Sequence, residues 1–500
     1  MHEALVSLMR HRGDAQWVPE SMYELVAPQA NQLFHFLAYG LSFVVRTDLA
    51  CKLVVAAILV GTPVFMGRLL RSLRLSAWPS LLVTPIVCGW MFTWGLVANM
   101  LGFALLLLFL PLAERLARKP GPAMAAWGIC AAVLLFLAHE SSALLFAMVV
   151  TFGLFVRSRR PRALLWHVLP VLAVLVLAAL QWRLSDSLLG ASMRAIGNDY
   201  GDDPISRLGM VPGGLFGGLG TTRLWILGTV WITGLVASAV AKGRGVRSLP
   251  LRVALWRHRY AMFAAAFFFL FLVFPMSLGG TTLLAHRFLP AACLGLIVAC
   301  AAPLLDLPRK ALLAVVPVTV VAVQMKNYVQ ADRNYRDLQE MIARLPQNVA
   351  VAQLDLTPMR PGRAAPVHGA SNRVLAERGG RMLFAMTDMP PNPIYVRREW
   401  QWNEAVLRLV NSPYAFMPSH DLTRFSYLLA FNRRADLRQL VQKALEPEAE
   451  LVASKGDWEL YRSTLPTVSL NSPDVLLPSP APEMLADRVK RVHGDSVRSR

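Results

Sequence analysis

The sequence predicts an α-helical polytopic membrane protein with about ten transmembrane helices and a small C-terminal extracytoplasmic α/β domain. Three observations predict this fold class. Hydrophobic residues make up 55% of the 500 residues and charged residues only 16%, a combination that is not typical of soluble domains. The apolar residues gather in segments between residues 52 and 325, and arginine and lysine cluster in every second connection between those segments.

The apolar segments are each about 15 to 20 residues long, which at about 1.5 Å per residue gives roughly 23 to 30 Å, close to the thickness of a bilayer core. We therefore predict ten membrane spans, and the lipid bilayer is an expected partner. They cover residues 52 to 67, 78 to 94, 98 to 113, 123 to 138, 142 to 156, 164 to 182, 223 to 241, 259 to 278, 287 to 304 and 310 to 325.

The basic connections predict the orientation of the chain in a cell (inner) membrane. Clusters of arginine and lysine lie near Arg68, Arg115 and Arg157, then between residues 242 and 259, and again at Arg309. The positive-inside rule places these connections in the cytoplasm. The net charge of +20 therefore results largely from the basic cytoplasmic connections, and we expect no nucleic-acid partner.

Alternation from the Arg68 cluster places residues 1 to 51 outside the cytoplasm. Within this loop, Gln32, His35, Tyr39 and Ser42 recur at helical spacing and line one face of a segment from 32 to 45. The pattern is typical of a juxtamembrane helix lying in the membrane interface. The alternative is a short first span with a cytoplasmic N-terminus. Because no secretory signal is evident, an external N-terminus predicts a further helix upstream of residue 1.

Residues 326 to 464 are polar and predict a small α/β domain, which alternation places outside the cytoplasm. Residues 465 to 500 are rich in proline and serine and predict a disordered tail. Alternating patterns predict strands at 348 to 356 and 427 to 431, an amphipathic stretch at 402 to 410, and a hairpin at 450 to 461.

The order of these features and three short motifs resemble the GT-C class of integral-membrane glycosyltransferases. The motifs are Ala-Pro-Gln-Ala-Asn at 27 to 31, Gly-Arg-Leu-Leu-Arg at 67 to 71, and Ala-His-Arg-Phe-Leu-Pro at 285 to 290. The resemblance covers most of residues 1 to 325 in layout. It implies a polyprenyl-phosphate sugar donor and an extracytoplasmic glycan or lipid acceptor in envelope assembly.

The same resemblance implies a catalytic aspartate in the first external loop, just after the first transmembrane helix. In this chain both would fall upstream of residue 1, so the resemblance implies a protein that lacks the first helix and its aspartate. Glu3 and Asp14 lie in the loop concerned and are candidates to replace this base.

His139 and Glu140 occupy a turn between two apolar helices at the predicted external face. A carboxylate beside an imidazole can act as a base with an orienting partner, or bind a divalent cation. We predict them as catalytic candidates. The alternative is a hydrophilic turn in which Glu140 begins and caps the next helix.

The substrate-binding candidates also lie near the external face. Arg287 can bind a lipid phosphate bidentately, with His286 beside it, or it can extend to lipid headgroups. Asn99 can hydrogen-bond a sugar or pack between helices. Asn31 and His35, in and after the first motif, complete the predicted substrate site.

Two other classes of function stay open, a transporter or flippase and a non-catalytic membrane scaffold. Transport predicts charged or broken helices at mid-membrane. The predicted spans carry almost no charge at their centres, and the polar groups gather at one face. This pattern favours chemistry at the membrane surface over passage through it.

Overall fold

The structure is a computed structural model, and its contacts divide the chain into two units. The helical unit comprises Pro28–Leu37 and Lys52–Met325; the sheet unit comprises Met1–Ala27, Ala38–Cys51 and Lys326–Arg500. The structure describes residues 2–18, 22–26, 29–157, 161–188, 203–217, 221–241, 250–276, 284–356, 370, 372–383, 385, 387, 392–397, 400–401, 409, 412–467 and 484–498.

Helices fall on all ten predicted apolar segments. Those of the helical unit, some of which continue into the sheet unit, are α2 (Leu33–Ser42), α3 (Thr47–Ser72), α4 (Thr84–Val87), α5 (Trp90–Thr93), α6 (Val97–Arg118), α7 (Pro122–Ala138), α8 (Glu140–Arg157), α9 (Pro161–Leu188), α10 (Pro204–Phe216), α11 (Thr221–Ala241), α12 (Leu251–Val273), α13 (Phe288–Cys300) and α14 (Leu307–Ala343). The predicted class of helical membrane protein with a small sheet region is confirmed.

Five of the described helices are long and apolar enough to cross a membrane. They are Thr47–Ser72, Val97–Arg118, Leu164–Gln181, Thr222–Ala241 and Leu307–Met325. The remaining apolar helices are shorter, and some lie largely buried against their neighbours. The count of about ten spans therefore stays a prediction.

The second predicted span, 78 to 94, differs from a continuous helix. It consists of a 3₁₀ helix at Trp78–Val83 followed by the one-turn helices α4 and α5. Pro79 and Pro85 lack the backbone N–H that an α-helix needs, and Gly89 separates α4 from α5. A Cβ at Gly89 would lie 2.1 Å from the Leu215 carbonyl oxygen, so this break also admits the end of α10.

Helix α2 lies where the sequence predicts the interfacial helix, and its polar residues face inward. Gln32, His35 and Ser42 are buried, whereas Leu37 and Leu41 are exposed. The polar face predicted from spacing therefore contacts protein. The outward apolar residues suit contact with acyl chains, as expected of a helix at a membrane surface.

The sheet unit contains a five-stranded sheet in the order β3-β2-β5-β7-β6, with β2 parallel to β3 and β5, and β7 antiparallel to β5 and β6. Strand β1 pairs separately with β4, so residues near both ends of the chain share this unit. Its elements are α1 (His2–Arg10), β1 (Tyr23–Leu25), β2 (Ala350–Asp355), α15 (Asn372–Arg378), β3 (Arg381–Met382), β4 (Ile394–Val396), α16 (Pro418–Asp421), β5 (Tyr427–Phe431), α17 (Ala435–Leu445), β6 (Ala449–Lys455), β7 (Trp458–Ser463) and α18 (Leu485–Arg498).

The strands predicted at 348 to 356 and 427 to 431 and the hairpin at 450 to 461 are all present, as β2, β5 and the pair β6 and β7. Their inward residues, with Phe416, Phe425 and Tyr461, form a fully buried core. The predicted amphipathic stretch at 402 to 410 lies outside the described residues, except for Leu409.

Part of the predicted disordered tail is ordered. Residues Leu485–Arg498 form α18. Leu485 is buried in the core of the sheet unit, and Arg488 makes two contacts of 2.8 Å to the carboxylate of Glu448. Burial of an apolar side chain and a bidentate ion pair explain why this segment folds despite its polar composition.

Candidate active site

The chain reverses at His139, the residue between α7 and α8. His139 has extended backbone angles, and Glu140 begins α8. A carboxylate in the first turn of a helix is stabilised by the positive end of the helix dipole. A Cβ at Gly102 of α6 would lie 2.6 Å from the His139 Cβ, so the glycine lets α6 pack directly against this turn. That packing brings Asn99, one turn earlier on α6, to the imidazole.

The His139 ring is buried and has polar neighbours on both nitrogens. Its Nδ1 lies 2.7 Å from Ser141 Oγ, and its Nε2 lies 3.4 Å from Arg287 Nη1 and 3.5 Å from Asn99 Nδ2. Arginine can only donate, so the Arg287 contact requires an unprotonated Nε2, whereas the Ser141 backbone N–H, 3.3 Å from Nδ1, requires an unprotonated Nδ1; the two contacts favour opposite tautomers. Burial, and next the charge of Arg287, lowers the pKa of His139 well below its usual 6.5. The imidazole is therefore neutral.

Arg287 also approaches Glu140. The Arg287 Nη1 to Glu140 Oε1 distance is 3.6 Å, which is an ion pair but longer than a hydrogen bond. On the other side, Asn31 Nδ2 lies 3.4 Å from Glu140 Oε2. The Arg287 side chain is 14% exposed and that of Glu140 is 32% exposed. The cluster thus combines a buried guanidinium with a carboxylate that remains partly open.

His286 lies beside this cluster in an aromatic setting. Its ring stacks on Trp90 at 5.2 Å between centroids and meets Phe271 edge-on at 5.7 Å. Its Nδ1 is buried and makes no hydrogen bond to the described residues. Arg207 of α10 donates to the carbonyls of Phe271 and Leu272, each at 3.1 Å, and so caps the end of α12 on which His286 packs. The predicted role of His286 in binding phosphate stays a prediction.

Five of the nine residues predicted from sequence thus come together: Asn31, Asn99, His139, Glu140 and Arg287. We define these five, with Ser141, as the polar cluster. His35 is buried in α2 with its ring edge-on to Phe34, and its role in binding substrate stays a prediction.

Glu3 and Asp14 belong to the sheet unit, and their role as the base stays a prediction. Burial raises the pKa of Glu3, and Arg373 opposes that effect. Asp14 lies in an exposed turn, where it accepts the Gln16 backbone N–H at 3.0 Å and lies 3.7 Å from His11.

No group of three or more His, Cys, Asp or Glu side chains that could hold a metal ion is found among the described residues. In the polar cluster, Arg287 Nη1 contacts both His139 and Glu140. A guanidinium so placed lies beside both side chains that could bind the metal, and its positive charge repels a divalent cation. The predicted divalent cation therefore gains no support from these contacts.

Sequence reasoning missed Ser141, Gln29 and Gln181. Gln181 of α9 accepts the Ala30 backbone N–H at 3.1 Å and lies 3.4 Å from Gln29 Oε1. A contact between residues 152 positions apart leaves no local pattern in the chain. Ser141 follows the predicted turn at His139 and Glu140. Its position two residues after His139 is the local signal that could have identified it.

The fold and its contacts define a helical multi-pass membrane protein with a polar cluster among its helices. No family model matches the chain, and no curated protein matches it in sequence. Two solved structures align with it, both of ArnT from Cupriavidus metallidurans, one bound to undecaprenyl phosphate and one in the apo state. They are 11% and 12% identical to this chain, cover 94% and 95% of it and 94% of their own length, and give a TM-score of 0.40. Similarity at this level assigns no activity.

Proposed function

We propose that this protein transfers a sugar from a polyprenyl-phosphate carrier to an extracytoplasmic glycan or lipid acceptor, and that the reaction takes place at the polar cluster. The observation that carries the proposal is the buried Arg287 guanidinium, held between a neutral imidazole and a partly open carboxylate. Such a guanidinium favours a phosphate, and the carboxylate beside it can accept a proton. The GT-C resemblance of the sequence accords with this function.

In the proposed reaction, an acceptor hydroxyl attacks the anomeric carbon of the donor sugar, and the bond from that carbon to the phosphate oxygen breaks. Glu140 takes the hydroxyl proton, and the electron pair of the broken bond leaves with the polyprenyl phosphate. Arg287 donates to the phosphate as negative charge develops on it. In the tautomer with an unprotonated Nε2, His139 accepts from Arg287 and thereby orients the guanidinium.

The orientation of the chain is part of this proposal. The polar cluster and the sheet unit would lie on the extracytoplasmic side of the cell (inner) membrane, as the basic connections predict. A lipid-linked donor suits that side because nucleotide sugars are made in the cytoplasm.

The test is transfer of radiolabelled sugar by the full-length chain in proteoliposomes that contain polyprenyl-phosphate sugar and an envelope lipid extract. We expect Arg287→Gln and Glu140→Gln to lower transfer by about a hundredfold each, because each removes a group that acts in the transition state. The matched control is Arg309→Gln, since Arg309 is partly exposed and pairs with Asp306 at 2.6 Å. This variant should transfer at the wild-type rate.

Two other outcomes would replace the proposal. A scaffold would keep its cellular function when Arg287 and Glu140 are substituted. A transporter or flippase would move lipid-linked sugar across vesicle membranes without forming product. Either result, with wild-type protein that forms no labelled product, contradicts the transferase function.

A further inference from the structure

A group of carboxamide side chains lies at the start of α2, next to the polar cluster. We define Gln29, Asn31, Gln32 and Gln181 as the carboxamide cradle. The Gln32 Oε1 accepts the backbone N–H of Gln29 at 3.0 Å, and the Gln181 Oε1 accepts that of Ala30 at 3.1 Å. Two side-chain amides thus replace the backbone partners that this irregular segment lacks. The segment is held in place by α9 as well as by its own residues.

Asn31 joins the carboxamide cradle to the polar cluster. Its backbone has a φ of 64°, in the left-handed region that asparagine tolerates better than most residues. In this conformation its Nδ2 lies 3.4 Å from Glu140 Oε2. A ligand in the cradle would therefore adjoin the carboxylate that we propose as the base.

Two polar atoms of the cradle are buried without a hydrogen-bond partner among the described residues, the Nε2 of Gln29 and the Oδ1 of Asn31. Gln29 as a whole is only 2% exposed. Buried polar groups in folded proteins are nearly always hydrogen-bonded, so such atoms indicate a partner that the protein itself does not supply. One of these atoms is a donor and the other is an acceptor.

We propose that the carboxamide cradle binds hydroxyl groups of an uncharged sugar, an inference that rests on the proposed function. A hydroxyl both donates and accepts, which matches the two unpartnered atoms. A phosphate or carboxylate only accepts, and an ammonium group only donates. The four cradle side chains carry no charge, and Glu140 beside them is paired with Arg287. Burial of a charged substituent without a counter-ion would be costly.

The sugar could belong to the donor or to the acceptor, and binding measurements on the full-length chain in nanodiscs separate these sources. The probes are polyprenyl phosphate, the same lipid carrying glucose, glucosamine or glucuronic acid, and a lipid-free neutral oligosaccharide. We expect wild-type protein to bind the glucose-bearing lipid at least tenfold more tightly than either charged form. If the oligosaccharide instead shows the dependence on Gln29, the cradle binds the acceptor.

The decisive variant is Gln29→Leu, which should weaken binding of the sugar that occupies the cradle about tenfold and change binding of sugar-free polyprenyl phosphate less than twofold. Gln29→Glu keeps the side-chain size and should shift preference toward glucosamine. The control is Gln324→Leu, which removes another buried glutamine of the helical unit, one that donates to the Cys88 carbonyl at 3.0 Å. This variant should bind every probe as wild type does.

The outcomes distinguish this inference from the proposed function. If wild type binds polyprenyl phosphate and Gln29→Leu weakens no sugar-bearing probe, the cradle is structural and the inference is overturned, while lipid binding stands. Equal affinity for neutral and charged sugars also overturns it. If wild type binds no lipid form, the proposed function is wrong and the inference is lost with it.

Discussion

Two glutamates of the helical unit, Glu114 and Glu140, each pair with an arginine that is distant in the sequence, and the two pairs differ in how many of their polar atoms make hydrogen bonds. Arg259 Nε lies 2.7 Å from Glu114 Oε1, and both side chains are less than 10% exposed, at 9% and 5%. Tyr260 donates to the same oxygen at 3.0 Å. Arg259 also stacks over Trp256 and donates to its carbonyl. In contrast, Arg287 and Glu140 are 3.6 Å apart, and the carboxylate is partly open.

The difference separates a structural pair from a functional one. Glu114 accepts from Arg259 and Tyr260 through Oε1, and its Oε2 lies 3.5 Å from Arg118, so both carboxylate oxygens already have partners within the protein. The Arg287 pair is loose, and Asn31 beside it has a buried Oδ1 with no hydrogen-bond partner among the described residues. An incompletely satisfied charged site in an apolar protein costs stability and is expected where a ligand completes it. Substituting each pair in turn tests whether one is structural and the other functional.

The largest effect on stability is expected at the Glu114–Arg259 pair. Glu114→Ala leaves the Arg259 charge buried without its carboxylate, and breaking a buried pair in this way costs about 3 to 5 kcal/mol. We expect a correspondingly large loss of the free energy of unfolding, measured by denaturant titration of the detergent-solubilised protein. The molecules that remain folded should transfer sugar at the wild-type rate per molecule. A stability unchanged by the substitution would contradict the comparison.

At the Glu140–Arg287 pair, we expect a substitution to lower activity more than stability. Glu140→Gln keeps the shape of the side chain and its contact with Asn31, and it removes the proton acceptor. We expect transfer to fall by about a hundredfold, while the free energy of unfolding falls less than in Glu114→Ala, because the pair is longer and Glu140 is 32% exposed. If Glu140→Gln unfolds the protein as Glu114→Ala does, both pairs are structural.

A smaller effect is expected at Ser141, whose Oγ lies 2.7 Å from His139 Nδ1. Ser141→Ala removes the hydroxyl partner of the imidazole, a hydrogen bond that contributes about 1 kcal/mol. We expect transfer to fall about fivefold and Ser141→Thr to restore it, since threonine keeps the hydroxyl. Equal activity in all three forms would show that His139 needs no such partner.

The sequence predicted much of the site because its residues follow from topology. Groups at the predicted external ends of apolar segments share one membrane face, and Asn31, Asn99, His139, Glu140 and Arg287 do meet. The same reasoning named Glu3 and Asp14, which belong to the sheet unit, and their role stays a prediction because a shared face does not establish a contact. A predicted face is therefore a weaker statement than a contact.

Other features could not be read from the chain because they depend on distant partners. Arg259 counts in the sequence as one more residue of a basic connection, and its pairing with Glu114 spans 145 positions. The polar face of α2 was visible in its spacing, but spacing does not tell whether such a face meets water or protein. Likewise α18 is polar in composition, and it packs on the sheet unit through buried Leu485 and the ion pair of Arg488 with Glu448, which the local sequence does not indicate.

The Glu448–Arg488 pair of the sheet unit is a third arginine–glutamate pair. It is bidentate but nearer to solvent than the Glu114–Arg259 pair, so its loss should have the smallest effect on stability. The hydrogen bond from Arg488 holds the pKa of Glu448 below its usual 4.5. The stability that this pair contributes is therefore complete above pH 4.5 and is lost as the pH falls through the lower folded value.

We expect Glu448→Gln to release α18 at pH 7, with a cost of about 0.5 to 1 kcal/mol because partial exposure screens the pair. At a pH well below 4 the wild type and the variant should become equal. Amide hydrogen exchange in α18 of the full-length chain measures this difference, and Glu450→Gln is the control because its exposed pair with Arg462 lies elsewhere on β6 and β7. A difference that persists unchanged in acid would show that packing of Leu485, rather than the ion pair, holds this helix to the sheet unit.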